Sequence, residues 1–307
     1  MTPTALAEVP PALDGERLDR VVSLLWGLPR SRAAGLVAAG EVRVDGAPAT
    51  VRSRRLVSGE VVEVDLPERE EAGSLVPDPD VAVPVVAADD HVIVVDKPAG
   101  LVVHPGAGHS TGTLVHGLLA RWPEVAGVGD PSRPGIVHRL DAGTSGLLVA
   151  ARSPLAYSSL VAQLAARTVE RRYLALVWGW LEAPAGVVDA PVGRAARDRT
   201  QMAVSAGGRE ARTQYRVAGR YDDPVPVSLL ECWLETGRTH QIRVHLAAIG
   251  HPLVGDSRYG GARPSLPVGR PFLHAFELGF DHPATGARQR YTSPLPPDLE
   301  DVREHLN

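Results

Sequence analysis

This chain of 307 residues is short of cysteine, of lysine and of any charge imbalance. Its single cysteine, Cys232, excludes an internal disulfide framework and any multi-cysteine zinc or iron–sulfur site. A reducing interior is then the default compartment. Lys97 is the only lysine, so the remainder of the 32 Lys+Arg is arginine. That skew reads as composition bias, although arginine also binds phosphate and stacks on bases better than lysine. Against 36 Asp+Glu the formal net charge is -4, neither the basic excess that announces nucleic acid nor the acidic excess that announces disorder. No apolar run approaches the roughly 18 residues of a membrane span. The opening MTPTALAEVPPALDGE has no basic start and no apolar stretch, so no secretory signal is expected. With 44% hydrophobic residues, the expectation is a folded, soluble, cytoplasmic protein.

The average charge conceals an uneven distribution. Between Asp65 and Asp90 eight acids face one base, Arg69, a local charge of −7 that leaves +3 for the rest. The same stretch holds Pro67, Pro77, Pro79 and Pro84, and prolines with like charges resist a packed core. Residues 67–89 therefore read as an acidic, proline-rich linker between a small unit, 14–66, and a large one, 90–307. No internal repeat is visible.

In the small unit, Leu18, Val21, Val22 and Leu25 recur at helical spacing after Arg17. Ser31 is placed to cap a second helix ending near Ala39, with Gly40 as its stop. Glu41–Gly46 and Gly59–Leu66 alternate like strands. The unit is basic up to residue 55, with Arg17, Arg20, Arg30 and Arg32 among its eight arginines. This order of helix, Pro-Arg-Ser-Arg, helix, strand and turn resembles the S4 RNA-binding module over about 50 residues. It departs where many members carry Asn before the turn glycine, here Asp45. The resemblance implies that the two helices and their arginines, including Arg17, Arg20, Arg30 and Arg32, sit on structured RNA.

The large unit carries β-like runs at His91–Val95, Leu101–Val103, Gly146–Ala151, Val169–Trp178, Arg212–Val217 and Val227–Leu234, with helices expected at Ser153–Thr168 and Thr239–Ile249. Strands with few helices and no regular alternation predict an α+β fold with a mainly antiparallel sheet and flanking helices. No dinucleotide fingerprint or P-loop is present, so no nucleotide cofactor is implied.

Polar and glycine residues concentrate in three blocks, at 96–105, 138–149 and 235–246. In the second, Asp141 precedes a glycine-rich loop that leads into an apolar strand, an arrangement that can hold a carboxylate rigidly. Alternatively, Asp141 is a turn residue bonding its own backbone. Ser145 lacks the G-x-S-x-G context of a nucleophilic serine. His104 with His109, and His240 with His245, are five residues apart and share no helical face, so no metal site is expected. The third block offers bases, and an arginine beside a lone aspartate would keep it ionised.

These blocks carry a specific resemblance. HRLDAGTSGLLV at 138–149 looks like the catalytic motif of the RluA/RluD family of pseudouridine synthases. DKPAGLVVHP at 96–105, RRYLALVWG at 171–179 and TGRTHQIRVHLAAIGHPLVGD at 236–256 match further motifs of that family in order, as do FLHAFEL at 272–278 and DHP at 281–283. The match spans about residues 90–297, and an S4 module in front resembles the RluD branch.

The resemblance implies an enzyme that isomerises uridine within RNA, breaking C1′–N1 and rejoining C1′ to C5, without cofactor or metal. It makes Asp141 the essential carboxylate, either attacking C1′ or removing the 2′ proton. It pairs Arg243 with Asp141, with Arg238 as a second candidate, and sets Tyr173 against the target base. Arg139 would fill the vacated stack or bind a neighbouring phosphate, or else make a fold-supporting ion pair. The implied substrate is large-subunit ribosomal RNA or its assembly intermediate; nothing in the sequence forces a partner chain, so a monomer is expected. Two other classes stay open: a non-catalytic RNA-binding or ribosome-assembly protein, and a carboxylate hydrolase acting on a nucleoside or sugar.

Overall fold

A computed structural model describes residues 4–28, 30–65, 75–106, 108–196 and 198–307, without the side chains of 30–32. The chain divides into two compact units, Met1–Ser74 and Leu75–Asn307. Leu66 at the end of the expected small unit, residues 67–74 of the expected linker, and the side chains of Arg30, Ser31 and Arg32 lie outside the described residues.

The first unit contains β1 (Thr4–Glu8), α1 (Leu18–Leu25), α2 (Arg30–Ala39), β2 (Val42–Val44), β3 (Ala47–Pro48) and β4 (Val61–Asp65). Its antiparallel sheet runs β1-β4-β2-β3. Alternation puts Val42, Val44, Val62 and Val64 inside, where they meet Leu18, Val21 and Val22 of α1. The β2–β3 hairpin turns on Asp45 and Gly46, both left-handed at φ 51° and 75°, the geometry an Asp-Gly pair favours. The Asp45 carboxylate accepts from the Val61 N–H at 2.8 Å. The unit also contains β1, unanticipated because its residues alternate only between exposed and half-buried. The second helix begins at Arg30, one residue before the serine expected to cap it.

The second unit contains β5 (Val85–Ala88), β6 (Val92–Lys97), α3 (Leu114–Arg121), β7 (Ser145–Ala151), α4 (Pro154–Ala165), β8 (Glu170–Trp178), β9 (Ala185–Asp189), β10 (Val192–Arg194), β11 (Met202–Val204), β12 (Arg212–Tyr221), β13 (Val227–Leu234), α5 (Gln241–Ala248), β14 (Leu273–Asp281), β15 (Arg288–Thr292) and α6 (Pro297–Glu304). Its main sheet runs β5-β6-β7-β14-β8-β13-β12-β9, with β15 pairing the C-terminal half of β14. All its pairings are antiparallel except β7 with β14. The fold is α+β.

Two expectations change here. Leu101–Val103 is not a strand. The carbonyls of Val102 and Val103 accept from the Leu114 and Val115 amides at the start of α3, and that of Leu101 accepts from Lys97. The end of the expected linker is structured instead: β5 pairs with β6 at the sheet edge. As Ser153-Pro154 promised, the Ser153 hydroxyl caps α4 by accepting from the Ala156 N–H.

Sheet order positions the site. β14, from the far end of the sequence, inserts between β7 and β8 and brings the strand after Asp141 near the strand carrying Tyr173. Gly146 makes this possible. A β-carbon there would lie 2.3 Å from the Ala275 carbonyl oxygen, so only glycine lets the two backbones approach this closely.

Candidate active site

A cavity of about 570 Å³ opens on one face of the large unit, lined by Asp141, Tyr173 and Arg243 together with Arg139, Arg171, Arg238 and His240. Five residues expected at the site from sequence therefore meet at one place, though they come from three separate chain segments. Arg17 and Arg20 belong to the first unit. Arg17 forks Asp19 through Nε and Nη2 at 2.9 and 3.0 Å, and Arg20 pairs with Glu16 at 3.0 Å.

Asp141 sits on a loop fastened from both sides. The Gly100 amide donates to the Ala142 carbonyl at 2.8 Å, Arg270 Nη1 donates to the Gly143 carbonyl at 3.1 Å, and the Thr144 amide closes the turn on the Asp141 carbonyl. Lys97, fully buried, donates to the carbonyls of Pro98, Leu101 and Ala142 at 2.8, 2.8 and 3.2 Å. Its three N–H bonds thus tie β6, the turn after it and the Asp141 loop. Burial pulls the Lys97 pKa down to about 7, against the opposing pull of Asp141. Just before Asp141, Leu140 plugs the core, and His138 Nε2 accepts from the Val149 N–H at 3.1 Å. Burial lowers the His138 pKa to about 3, which keeps the ring neutral.

The Asp141 carboxylate does not close the turn it stands on. Among the described residues its hydrogen-bond partner is Arg243 Nη1, at 3.3 Å. The side chain is 15% exposed, at the cavity wall. Arg243 is aimed by a second carboxylate: its Nε and Nη2 grip Asp256 at 2.7 and 2.9 Å. Asp256 is wholly buried and also accepts from the Arg258 and Tyr259 amides. Burial weighs against the Arg243 charge, but hydrogen bonds and charge from Asp256, joined by Asp141, outweigh it and raise its pKa. The guanidinium also lies over the Tyr259 ring, 5.0 Å from its centroid.

Tyr173 occupies the inward face of β8 with Arg171 and Ala175, as the two-residue period requires. It is 4% exposed, and burial pushes its phenol up to about 12. On the opposite face, Arg172 bridges Glu231 and Glu277 of the neighbouring strands. Arg171 is buried and donates to the Leu234 carbonyl at 3.2 Å; burial lowers its pKa. Arg139 is exposed at the cavity edge and, among the described residues, pairs with no carboxylate, in contrast to the ion pair considered from sequence. Arg238 donates through Nε to the Glu210 carbonyl at 3.0 Å and does not pair with Asp141.

Sequence reasoning passed over Asp256, Tyr259 and the tie made by Lys97. Asp256 closed the third matched motif without a role, and Tyr259 stood outside every motif. Lys97 stood out as the only lysine and lay in the matched block at 96–105, but no role was drawn from either.

With this geometry in place, the comparisons with known proteins are informative. Residues 91–248 match the family model described as RNA pseudouridylate synthase. The chain belongs to the RNA pseudouridylate synthase family. Residues 16–62 match the S4 domain, so the RNA-modifying synthase carries an RNA-binding module in front of its catalytic unit. The synthase is 45% identical over 306 residues to the ribosomal large subunit pseudouridine synthase D of Pseudomonas aeruginosa, covering 95% of this chain and 92% of that one. It is 42% identical over 294 residues to an uncharacterized RNA pseudouridine synthase of Bacillus subtilis, covering 95% and 94%. Among solved structures, the human RNA pseudouridylate synthase domain containing 1 superposes with a TM-score of 0.58 at 28% identity, covering 74% of this chain and 89% of that one. Among the described residues, no helix is long and apolar enough to cross a membrane.

Proposed function

We propose that this synthase isomerises uridine in large-subunit ribosomal RNA, with Asp141 as the reacting carboxylate. In the net change, C1′–N1 breaks, C1′–C5 forms, the C5 hydrogen leaves and N1 gains a proton. No redox partner is required. The observation that carries this reading is the chain Asp256–Arg243–Asp141: a buried carboxylate fixes an arginine whose remaining Nη1 meets a second carboxylate at the wall of a cavity of about 570 Å³. A pre-set charge pair of this kind needs little rearrangement during reaction.

Attack at C1′ and removal of the 2′ proton both bring Asp141 to the C1′–C2′ bond of the ribose. The target base must leave its stack to enter the cavity, and Tyr173 supplies an aromatic face for it. With a phenol pKa near 12, Tyr173 stays protonated at neutral pH and is suited to stacking and hydrogen bonding rather than to acting as a base. Arg139, exposed at the rim and without a carboxylate partner among the described residues, is suited to a phosphate. The ribosomal substrate is supported by the S4 domain and by relatives named for the large subunit, in Pseudomonas aeruginosa and Xanthomonas campestris.

Mapping pseudouridines in ribosomal RNA from cells with the natural protein, without it, and with Asp141→Asn tests this reading. A large-subunit site present only with the natural protein is the expected result. A site that persists with Asp141→Asn overturns the catalytic assignment, and a protein-dependent site found only in another RNA overturns the ribosomal one.

A further inference from the structure

His240 stands across the cavity from the Asp141 carboxylate and has no role in the scheme above. Its Nε2 lies 3.9 Å from Asp141 Oδ2, too far for a direct hydrogen bond. Its Nδ1 is 2.8 Å from the Tyr259 hydroxyl, and that hydroxyl already accepts from the Met202 N–H at 3.2 Å. Among the described residues Nδ1 is the acceptor within reach of the hydroxyl's own hydrogen, and that pairing leaves the proton of a neutral imidazole on Nε2. Burial lowers the His240 pKa, with Asp141 pulling the other way, which keeps the neutral form in place.

The backbone supports a held position. His240 is left-handed at φ 56° and occupies the N-cap position of α5 without a side-chain cap bond, a conformation that a residue with a β-carbon seldom adopts without a reason in its surroundings. The ring also packs edge-on against Tyr259, with centroids 5.7 Å apart. Tyr259 thus orients His240 while its ring face lies under Arg243.

An N–H donor and a carboxylate acceptor face each other across 3.9 Å. One oxygen about 3 Å from each closes that gap, provided it accepts from the first and donates to the second. A hydroxyl meets both conditions, whereas a hydrogen or a methoxy group does not. We infer that His240 Nε2–H and Asp141 together grip the ribose 2′-hydroxyl of the target uridine, so that His240 reads RNA against DNA at the reacting nucleotide. This rests on Asp141 being the reacting carboxylate, because either course of reaction brings the 2′ position to it.

The test uses the full-length enzyme and a synthetic RNA fragment spanning the modified uridine, with a 2′-hydroxyl or a 2′-hydrogen at that nucleotide alone. Single-turnover rates are compared for the natural protein, His240→Asn and His240→Gln. Asn tolerates the left-handed backbone but its amide stops short of the Nε2 position, while Gln reaches it with an N–H. His240→Asn is expected to lose on the order of tenfold in rate on the ribose fragment and to stay within about twofold on the deoxy fragment. His240→Gln should recover most of the ribose rate. Where deoxy turnover falls below detection, the binding ratio of the two fragments supplies the same comparison.

Equal losses on both fragments would overturn the inference, because the histidine would then be acting on something other than the 2′-hydroxyl. Asp141→Asn on the ribose fragment tests the underlying assignment separately. Turnover retained there overturns the role of Asp141. Turnover lost there, together with equal losses in His240→Asn, overturns the role of His240 alone.

Discussion

Asp256 grips Arg243 at two points, Nε at 2.7 Å and Nη2 at 2.9 Å, and thereby turns the remaining Nη1 toward Asp141. The fork sets the direction of a side chain with four rotatable torsions, so Asp256 acts on Asp141 without touching it. Asp256→Asn loses the charge and one acceptor of the fork. Turnover is expected to fall on the order of 10²-fold, the cost of a misplaced reacting group, with KM changed far less. Because Arg243 would be left poorly compensated in a buried place, denaturation should also show a loss approaching the roughly 3–5 kcal/mol of a broken buried pair. Steady-state kinetics and urea melts check both, and unchanged kcat would remove Asp256 from the positioning chain.

Tyr173 separates stacking from proton transfer. Tyr173→Phe keeps the aromatic face and should retain most of the substrate affinity, whereas Tyr173→Leu should lose roughly 1–3 kcal/mol of binding. Since burial raises the phenol to about 12, its ionisation lies above the working range. The pH–rate profiles of the natural protein and Tyr173→Phe should therefore coincide in shape up to about pH 10. A limb near neutrality that disappears in Tyr173→Phe would restore the hydroxyl as a base.

Arg139 is exposed at the cavity rim, unpaired among the described residues. Arg139→Ala should weaken RNA binding and reduce the slope of log affinity against log salt by about 0.7–0.9, the value of one phosphate contact. A lower affinity with an unchanged salt slope would instead assign Arg139 to stacking in the vacated helix.

Lys97 gives a pH prediction with a defined sign. Its pKa is about 7 in the folded protein and about 10.4 in an unfolded chain. Between these values the unfolded state holds the additional proton, so this group makes stability rise with pH. The contribution is at most about 1.4 kcal/mol per pH unit. Lys97→Met should lose this increment, so denaturant midpoints at pH 7.5 and 9.5 should differ more in the natural protein than in the variant. The variant should also be less stable at both, because the carbonyls of Pro98, Leu101 and Ala142 lose their common donor. Equal pH dependence in the two proteins would mean that Lys97 keeps its proton when folded.

What the amino-acid order determined by itself was local. Short β-like runs placed most of the long strands, and serine followed by proline placed the start of α4, because these signals depend only on neighbouring side chains and backbone stereochemistry. Three matched motifs, at 138–149, 171–179 and 236–256, marked Asp141, Tyr173 and Arg243, and the structure lines one cavity with all three. The strand expected at Leu101–Val103 failed because distant donors took its carbonyls. The relationships that aim the site were decided only in three dimensions. Lys97 and Ala142 are 45 residues apart, His240 and Tyr259 are 19 apart, and Arg243 and Asp141 are 102 apart. No periodicity relates such pairs. They meet because β14 inserts between β7 and β8, and burial then penalises each charge and donor left inside without a partner.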